Sequence, residues 1–224
     1  MTKKETLFSD QDHRFLADGA VGKLELMTRG TDVPAAGHVQ QKDGWLVIIC
    51  HPHPEYGGTM DNKVVTTAAR AAREAGLDSL RFNYRGVGES EGTYGEFDGE
   101  CDDFDAIMRW VRGNTSKTRF LLAGFSFGSA VVASRAGFVD GLEHLLLLAP
   151  PVERYPYPSQ FAAPVSIVQG AEDEVVNAKD VTRWAEGLET PFEYLLMGQC
   201  SHFFHGRLID LRARLAPLFL SITS

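Results

Sequence analysis

Short apolar runs alternate with segments of helical periodicity along most of this chain. Successive runs are spaced roughly 25 to 30 residues apart, as in repeated βαβ units on a parallel sheet. Most runs are apolar at consecutive positions, which is expected for strands that helices cover on both faces of the sheet. The predicted strands span residues 45–50, 79–83, 119–123, 144–148, 164–169 and 192–197.

Two weaker runs near the N-terminus lack this continuous apolar character. One surrounds Phe15 and the other covers residues 23–27. They bring the number of candidate strands to eight and are expected to form a hairpin at the edge of the sheet.

Helix signals fill the intervals between the strands. Asn62 can cap a helix that should end near Gly76, and Asn177 can cap another. A further helix is predicted to begin at Asp102 or Asp103. A last helix is predicted from four leucines at helical spacing, Leu208, Leu211, Leu215 and Leu218.

Length and composition favour one globular unit. The chain has 224 residues, of which 44% are hydrophobic and 23% charged, so it resembles ordinary globular proteins rather than disordered or fibrous ones. Parallel α/β folds often reach this length as one domain. We therefore expect a single domain over residues 1–224, of the α/β class.

Charge and cysteine usage restrict the partners and the compartment. The formal net charge is −8, with no long basic run, so nucleic acid is not an expected partner. Cys50, Cys101 and Cys200 are an odd number at unrelated spacings, which fits neither a disulfide framework nor a paired-cysteine zinc site. No apolar run is long enough to cross a bilayer. These features predict a soluble, cytoplasmic protein without a membrane partner, and they leave its oligomeric state open.

One motif places a serine where a nucleophile is expected. Gly124, Ser126 and Gly128 form the pattern G-x-S-x-G directly after the predicted strand 119–123 and before a small-residue helix over 129–135. On such a strand-to-helix turn the serine hydroxyl is exposed above the sheet, close to the positive end of a helix. Ser126 is therefore a candidate catalytic nucleophile.

A nucleophilic serine needs a base and an acid, and both can come from loops after later strands. The loop after residues 164–169 is acidic and offers Glu172, Asp173 and Glu174. The loop after residues 192–197 contains His202. Both loops lie at the edge where parallel sheets hold their ligands.

A second histidine, His205, competes with His202 for the role of base. It stands close to the start of the last helix, where a histidine often has a local structural role. We therefore favour His202.

Several segments together resemble the α/β-hydrolase family, and more narrowly a subgroup of small bacterial serine hydrolases without a lid. The strand-to-helix turn at Ser126, called the nucleophile elbow in this family, is one of them. Many members carry His-Gly at the place where this chain has His51-Pro52-His53-Pro54. The segments that carry the resemblance are HPHPEYGGTMDNKVV, RFNYRGVGES, GFSFGSA and SHFFHGR. The resemblance implies an eight-stranded, mostly parallel sheet with flanking helices and no cap domain.

The same resemblance assigns roles to three side chains. It implies Ser126 as nucleophile, Asp173 as acid and His202 as base, in the chain order that this family uses.

The oxyanion hole of such a site needs two backbone donors. One should be the residue after the nucleophile, here Phe127. Pro52 and Pro54 have no N–H, so elimination and the match to the family's His-Gly motif place the second donor at His53.

A metal site is the alternative interpretation of His51 and His53, because H-x-H can bind zinc. The residues that follow are Pro54 and Glu55 rather than further ligands, and a serine triad needs no metal. We expect neither a metal nor any other cofactor.

About 15 residues separate the strands that end at 148 and begin at 164, too few for a helical lid. The sequence thus predicts an open site and hydrolysis of a small ester or related acyl bond, with a small-molecule acyl substrate. A low-turnover binding or scaffold protein on the same fold is the alternative. Thioesterase and peptidase specificity share the same residues and also stay open.

Overall fold

A computed structural model describes residues 7–31 and 42–224. Its strands are β1 (His13–Asp18), β2 (Lys23–Arg29), β3 (Trp45–Cys50), β4 (Ser79–Phe82), β5 (Arg119–Phe125), β6 (Leu142–Leu148), β7 (Val165–Gly170) and β8 (Phe192–Met197). They form one eight-stranded sheet in the order β1-β2-β4-β3-β5-β6-β7-β8. Strands β3 to β8 pair in parallel, which confirms the predicted mostly parallel sheet.

The N-terminal hairpin lies at one edge of this sheet, as predicted. β1 and β2 are antiparallel, with Ala17 opposite Leu24, and β2 continues the sheet by pairing antiparallel with β4. In β1 only Ala17 is buried, whereas β2 buries five of its seven residues. The weak apolar pattern of β1 therefore reflects its position at the edge.

Helices cover both faces of the sheet. Their bounds are α1 (Lys63–Glu74), α2 (Asp98–Asn114), α3 (Phe127–Arg135), α4 (Ala178–Glu186) and α5 (Leu208–Ile222). Helices α1 and α5 pack on one face, where Val65 and Leu211 share a core with Val47. Helices α2, α3 and α4 pack on the other, where Phe104, Val131 and Val181 share a second core. None of the described helices is long and apolar enough to cross a bilayer.

Helix α2 begins at Asp98, so the predicted start at Asp102 or Asp103 is wrong. The Glu100 carboxylate accepts hydrogen bonds from the backbone N–H groups of Gly95 (2.8 Å) and Phe97 (2.9 Å). A glutamate in the first turn thus satisfies groups just ahead of the helix and extends it by one turn. The predicted caps are confirmed for α1, where Asn62 accepts from the N–H of Val64, and for α4, where Asn177 accepts from that of Lys179.

The connection between β6 and β7 runs through residues 149–164 without a helix or strand. It adds no domain above the carboxyl ends of the strands. The prediction of a fold without a cap is therefore confirmed, and the loops that follow β3, β5, β7 and β8 meet at an open edge.

Candidate active site

Ser126 lies on a sharp turn between β5 and α3. Its backbone adopts φ 51° and ψ −120°, a conformation that L-residues rarely adopt and that costs about 1–3 kcal/mol. The flanking glycines make the turn possible. A Cβ on Gly124 would lie 2.2 Å from the carbonyl oxygen of Gly128, and one on Gly128 would lie 2.4 Å from that of Cys50. Both glycines of the motif are thus required by close backbone packing.

The structure brings Ser126, His202 and Asp173 together from three separate loops. The Nε2 atom of His202 lies 3.0 Å from Oγ of Ser126, and its Nδ1 lies 2.8 Å from Oδ2 of Asp173. The His202 and Asp173 side chains are 3% and 0% exposed. The three side chains form a continuous hydrogen-bonded chain, and solvent reaches it at the serine end.

Asp173 is held in its charged form by its surroundings. Burial alone would raise the pKa of its carboxyl group, but the hydrogen bond with His202 and those from the N–H groups of Val176 and Val175 outweigh it, so the pKa is lowered. The two N–H groups donate to Oδ1 over 2.7 and 2.8 Å. Gln169 adds a fourth donor, its Nε2 lying 2.9 Å from Oδ2. A buried carboxylate with this many donors stays ionised.

The competing acids do not contact the His202 imidazole, and the competing histidine does not contact Ser126. Glu172 is exposed, and the Glu174 carboxylate accepts the backbone N–H of His202 at 3.1 Å, so it holds the loop rather than the imidazole. His205 is exposed and stacks on Phe203 with 5.7 Å between ring centroids.

His51 fixes the loop that follows β3. It is fully buried, its Nδ1 donates to the carbonyl oxygen of Pro52 (2.6 Å), and its Nε2 accepts the N–H of Tyr84 (3.1 Å). Because burial lowers the pKa of His51 to about 3, the ring is neutral, and the two hydrogen bonds select one tautomer. The Pro52 carbonyl belongs to the same peptide unit as the N–H of His53, so His51 orients that unit.

Gly58 packs against the same peptide unit. A Cβ on Gly58 would lie 2.0 Å from the carbonyl oxygen of Pro52, closer than any real contact. The loop can therefore close over this peptide only with glycine at position 58.

The two predicted oxyanion donors, Phe127 and His53, line the same cavity as Ser126 and His202. Within residues 7–31 and 42–224 neither of their backbone N–H groups has an acceptor. Phe127 is the first residue of α3, where N–H groups point out of the helix.

The geometry of His51 and His53 does not favour a metal site. Both ring nitrogens of His51 are engaged in hydrogen bonds, and the His53 ring accepts the N–H of Glu55 and contacts the Tyr94 hydroxyl at 3.2 Å. In the described part of the chain no three histidine, cysteine, aspartate or glutamate side chains are placed to hold a metal ion.

A cavity of about 310 Å³ opens beside Ser126. Its size lies at the lower end of ligand pockets, about 300–1,000 Å³. Apart from Ser126, Phe127, His202 and the loop after β3, it is lined by side chains from the connections after β6, β7 and β8. These are Pro151, Arg154, Tyr155, Val175 and Phe203.

Sequence reasoning missed Gln169, Arg154 and Asn62 as neighbours of the site. Gln169 is the one polar residue in the otherwise apolar second half of β7, and this was a usable signal. Asn62 and Arg154 gave none, because one was explained as a helix cap and the other stands in an irregular connection. Their position in the cavity depends on how loops meet, which periodicity does not report.

The lidless sheet, the elbow at Ser126 and the loops that meet there define an α/β serine hydrolase. The family described as serine aminopeptidase, S33, matches residues 41–162, which is more than half of the chain, and the protein belongs to this family.

Solved structures and a curated relative agree with this assignment. An α/β serine hydrolase homologue from Coxiella burnetii is 43% identical with a TM-score of 0.85, over 92% of this chain and 96% of that one. An α/β serine hydrolase without a lid from Xanthomonas campestris is 39% identical with a TM-score of 0.82, over 93% and 94%. An uncharacterised protein of Rickettsia prowazekii is 30% identical over 190 residues, 80% of each chain.

Proposed function

We propose that this protein hydrolyses small esters through an acyl-enzyme, with Ser126 as nucleophile, His202 as base and Asp173 as acid. The observation that carries the proposal is the unbroken hydrogen-bonded chain from Oγ of Ser126 through the His202 ring to the Asp173 carboxylate. A serine placed in this way on a strained turn is activated by loss of its proton to the imidazole.

The reaction proceeds in two balanced halves. Oγ of Ser126 attacks the ester carbonyl carbon while Nε2 of His202 takes the hydroxyl proton, and the C–O bond to the alcohol breaks as the alcohol leaves with that proton. Water then attacks the acyl-enzyme, gives a proton to His202 and releases the acid, and His202 returns the proton to Ser126. The N–H groups of Phe127 and His53 hold the oxyanion in both halves, each contributing on the order of 3 kcal/mol to transition-state stabilisation.

The cavity lining favours an ester over the N-terminus of a peptide. An aminopeptidase must recognise a free ammonium group, and a carboxylate beside the site is the usual partner for one. No aspartate or glutamate is among the described residues that line the cavity, and the Asp173 side chain is buried behind His202. We therefore place ester hydrolysis ahead of peptidase specificity.

Covalent labelling tests the proposal. A fluorophosphonate is expected to modify Ser126 in the folded protein, as located by mass spectrometry, and 4-nitrophenyl acetate is expected to be hydrolysed. Ser126→Ala should lose both, because no other activated hydroxyl replaces it. Ser116→Ala, at an exposed serine, is the matched control and should keep both.

Three outcomes would contradict the proposal. An adduct on another residue would move the nucleophile away from Ser126. Full ester turnover by Ser126→Ala would exclude the acyl-enzyme, and absence of both turnover and labelling in the native chain would favour a binding protein on this fold.

A further inference from the structure

Arg154 places a positive charge in the lining of the cavity beside Ser126. Among the described residues that line the cavity, it is the only one whose side chain is charged at every ordinary pH. Its Nη2 donates to the carbonyl oxygen of Val175 at 3.1 Å, which tethers the guanidinium at the rim. The described residues provide no ion pair for Arg154. The chain as a whole has a formal net charge of −8, so the positive charge of Arg154 differs in sign from that of the molecule.

Arg154 and Asn62 have more N–H donors than the protein itself uses. A guanidinium has five N–H donors and no acceptor, and one of its nitrogens serves the Val175 carbonyl. Asn62 also lines the cavity, and its Oδ1 accepts the N–H of Val64 at 2.9 Å, which leaves the NH₂ group of this amide available. The carboxylates of the loop after β7 are engaged, Asp173 with His202 and Glu174 with the backbone N–H of His202. The described lining thus offers hydrogen-bond donors to an anion and no carboxylate to a cation.

The remaining lining is apolar and aromatic. Tyr155 and Phe203 contribute rings to the lining, and Tyr56, which is 84% exposed, extends from the loop after β3. Tyr155 is itself held by stacking on Phe97, with 5.0 Å between centroids. Such walls hold an apolar body between the reacting carbonyl and the rim.

We propose that Arg154 forms an anion subsite and that the preferred substrates are esters with a carboxylate at the end remote from the scissile bond. This inference rests on the proposed ester hydrolysis. A carboxylate suits the site because a guanidinium binds it through two parallel hydrogen bonds. The apolar body of the ester lies between this subsite and Ser126.

Two pairs of probes, each an acid-bearing ester and its neutral counterpart, test the subsite. One pair places the charge on the acyl side: the 4-nitrophenyl monoester of adipic acid against 4-nitrophenyl hexanoate. The other places it on the leaving group: 4-acetoxybenzoate against its methyl ester. The quantity measured is the ratio of kcat/KM within each pair, compared between native protein and variants, so that intrinsic differences in ester reactivity cancel.

Arg154→Gln is expected to lower kcat/KM for the acid-bearing ester of at least one pair by about five- to tenfold, while the neutral esters change by less than about twofold. Arg154→Lys should keep part of the preference, since it retains the charge without the planar fork. Raising NaCl from about 0.05 to about 0.5 M should shrink the preference of the native protein but not that of Arg154→Gln. Arg112→Gln is the matched control, because this exposed arginine also donates to a backbone carbonyl, that of Asp140 at 3.0 Å, but lies outside the cavity.

The outcomes separate this inference from the proposed function. If both ratios are the same in native protein and in Arg154→Gln, or if Arg154→Gln lowers the neutral esters equally, the anion subsite is overturned while hydrolysis that depends on Ser126 stands. If none of the four esters is hydrolysed and no phosphonate adduct forms on Ser126, the proposed function fails and the subsite with it.

Discussion

A single peptide unit, Pro52–His53, has to point in one direction for the proposed oxyanion hole to exist. The His51 ring donates to the carbonyl oxygen of this unit, and the missing side chain of Gly58 allows close packing against that oxygen. Rotation of this unit would turn the N–H of His53 away from the cavity without disturbing Ser126, His202 or Asp173.

Gly58→Ala tests that dependence. The added Cβ would lie 2.0 Å from the Pro52 carbonyl oxygen, so the peptide has to shift. Loss of one oxyanion donor is expected to lower kcat by about 100-fold with KM within about twofold, because the donor acts mainly in the transition state. Steady-state kinetics on a nitrophenyl ester measure this effect.

Gly137→Ala is the control, because a Cβ on Gly137 meets nothing within 4 Å. A Gly58→Ala variant with native kcat would show that the His53 N–H is not used.

At this level the sequence predicted which residues meet but not how each is held. Proline chemistry pointed to His53, and the loop order pointed to His202 and Asp173, and the structure places all three beside Ser126. The sequence did not reveal the role of His51, because two histidines two positions apart are as consistent with metal binding as with a structural hydrogen bond. Only the direction of its ring, set by Tyr84 and Pro52, separates the two.

Among the elements, α2 supports the aromatic lining of the cavity indirectly, through Phe97 and Tyr155. A buried ion pair joins the loop after β4 to this helix: Nη2 of Arg85 lies 2.8 Å from Oδ1 of Asp103, with side chains 9% and 0% exposed. One turn earlier Glu100 holds the N–H of Phe97, whose ring stacks on Tyr155. The position of α2 is thus coupled to the aromatic lining.

Asp103→Ala is expected to reduce the free energy of unfolding by about 3–5 kcal/mol, because it leaves the Arg85 charge buried without a partner. Urea denaturation measures the loss. Glu143→Ala removes the acid of an exposed pair, in which Arg119 is 49% and Glu143 37% exposed, and should cost less than about 1 kcal/mol. Equal losses in the two variants would contradict the structural weight given to the buried pair.

The elements themselves were largely predictable, and the exceptions have a physical cause. Continuous apolar runs identified the central strands, and Asn62 and Asn177 identified two helix starts. The start of α2 was placed too late, because a run of acidic residues offers several caps of similar quality. The structure selects Glu100, which reaches back to groups that local pattern alone does not rank.

Across the whole molecule, buried neutral histidines link stability to pH. His144 is buried between strands, where its Nε2 lies 2.8 Å from Oγ of Ser166, and burial lowers its pKa to about 4. In the unfolded chain a histidine takes up a proton near pH 6.5. Between these values the unfolded state binds a proton that the folded state does not, so stability falls as the pH is lowered through this window.

The expected loss from His144 alone is up to about 3 kcal/mol at the acid end of the window. Chemical denaturation at pH 7 and pH 5 measures the free energy of unfolding, and His144→Gln should lose about 2 kcal/mol less between the two than the native chain. His13→Gln, at an exposed histidine, serves as the control. Identical pH dependence in the native chain and His144→Gln would show that His144 takes up its proton equally in both states.

The connection from residue 149 to residue 164 contains no helix or strand that would have to move before a substrate reaches Ser126. Substrate specificity then depends on the few substrate atoms that enter the groove, while the rest of the substrate stays in solvent. Under the proposed ester hydrolysis, an open groove does not limit the size of the molecule that carries the ester, so a short acyl group on a large polymer is as accessible to Ser126 as a free small ester.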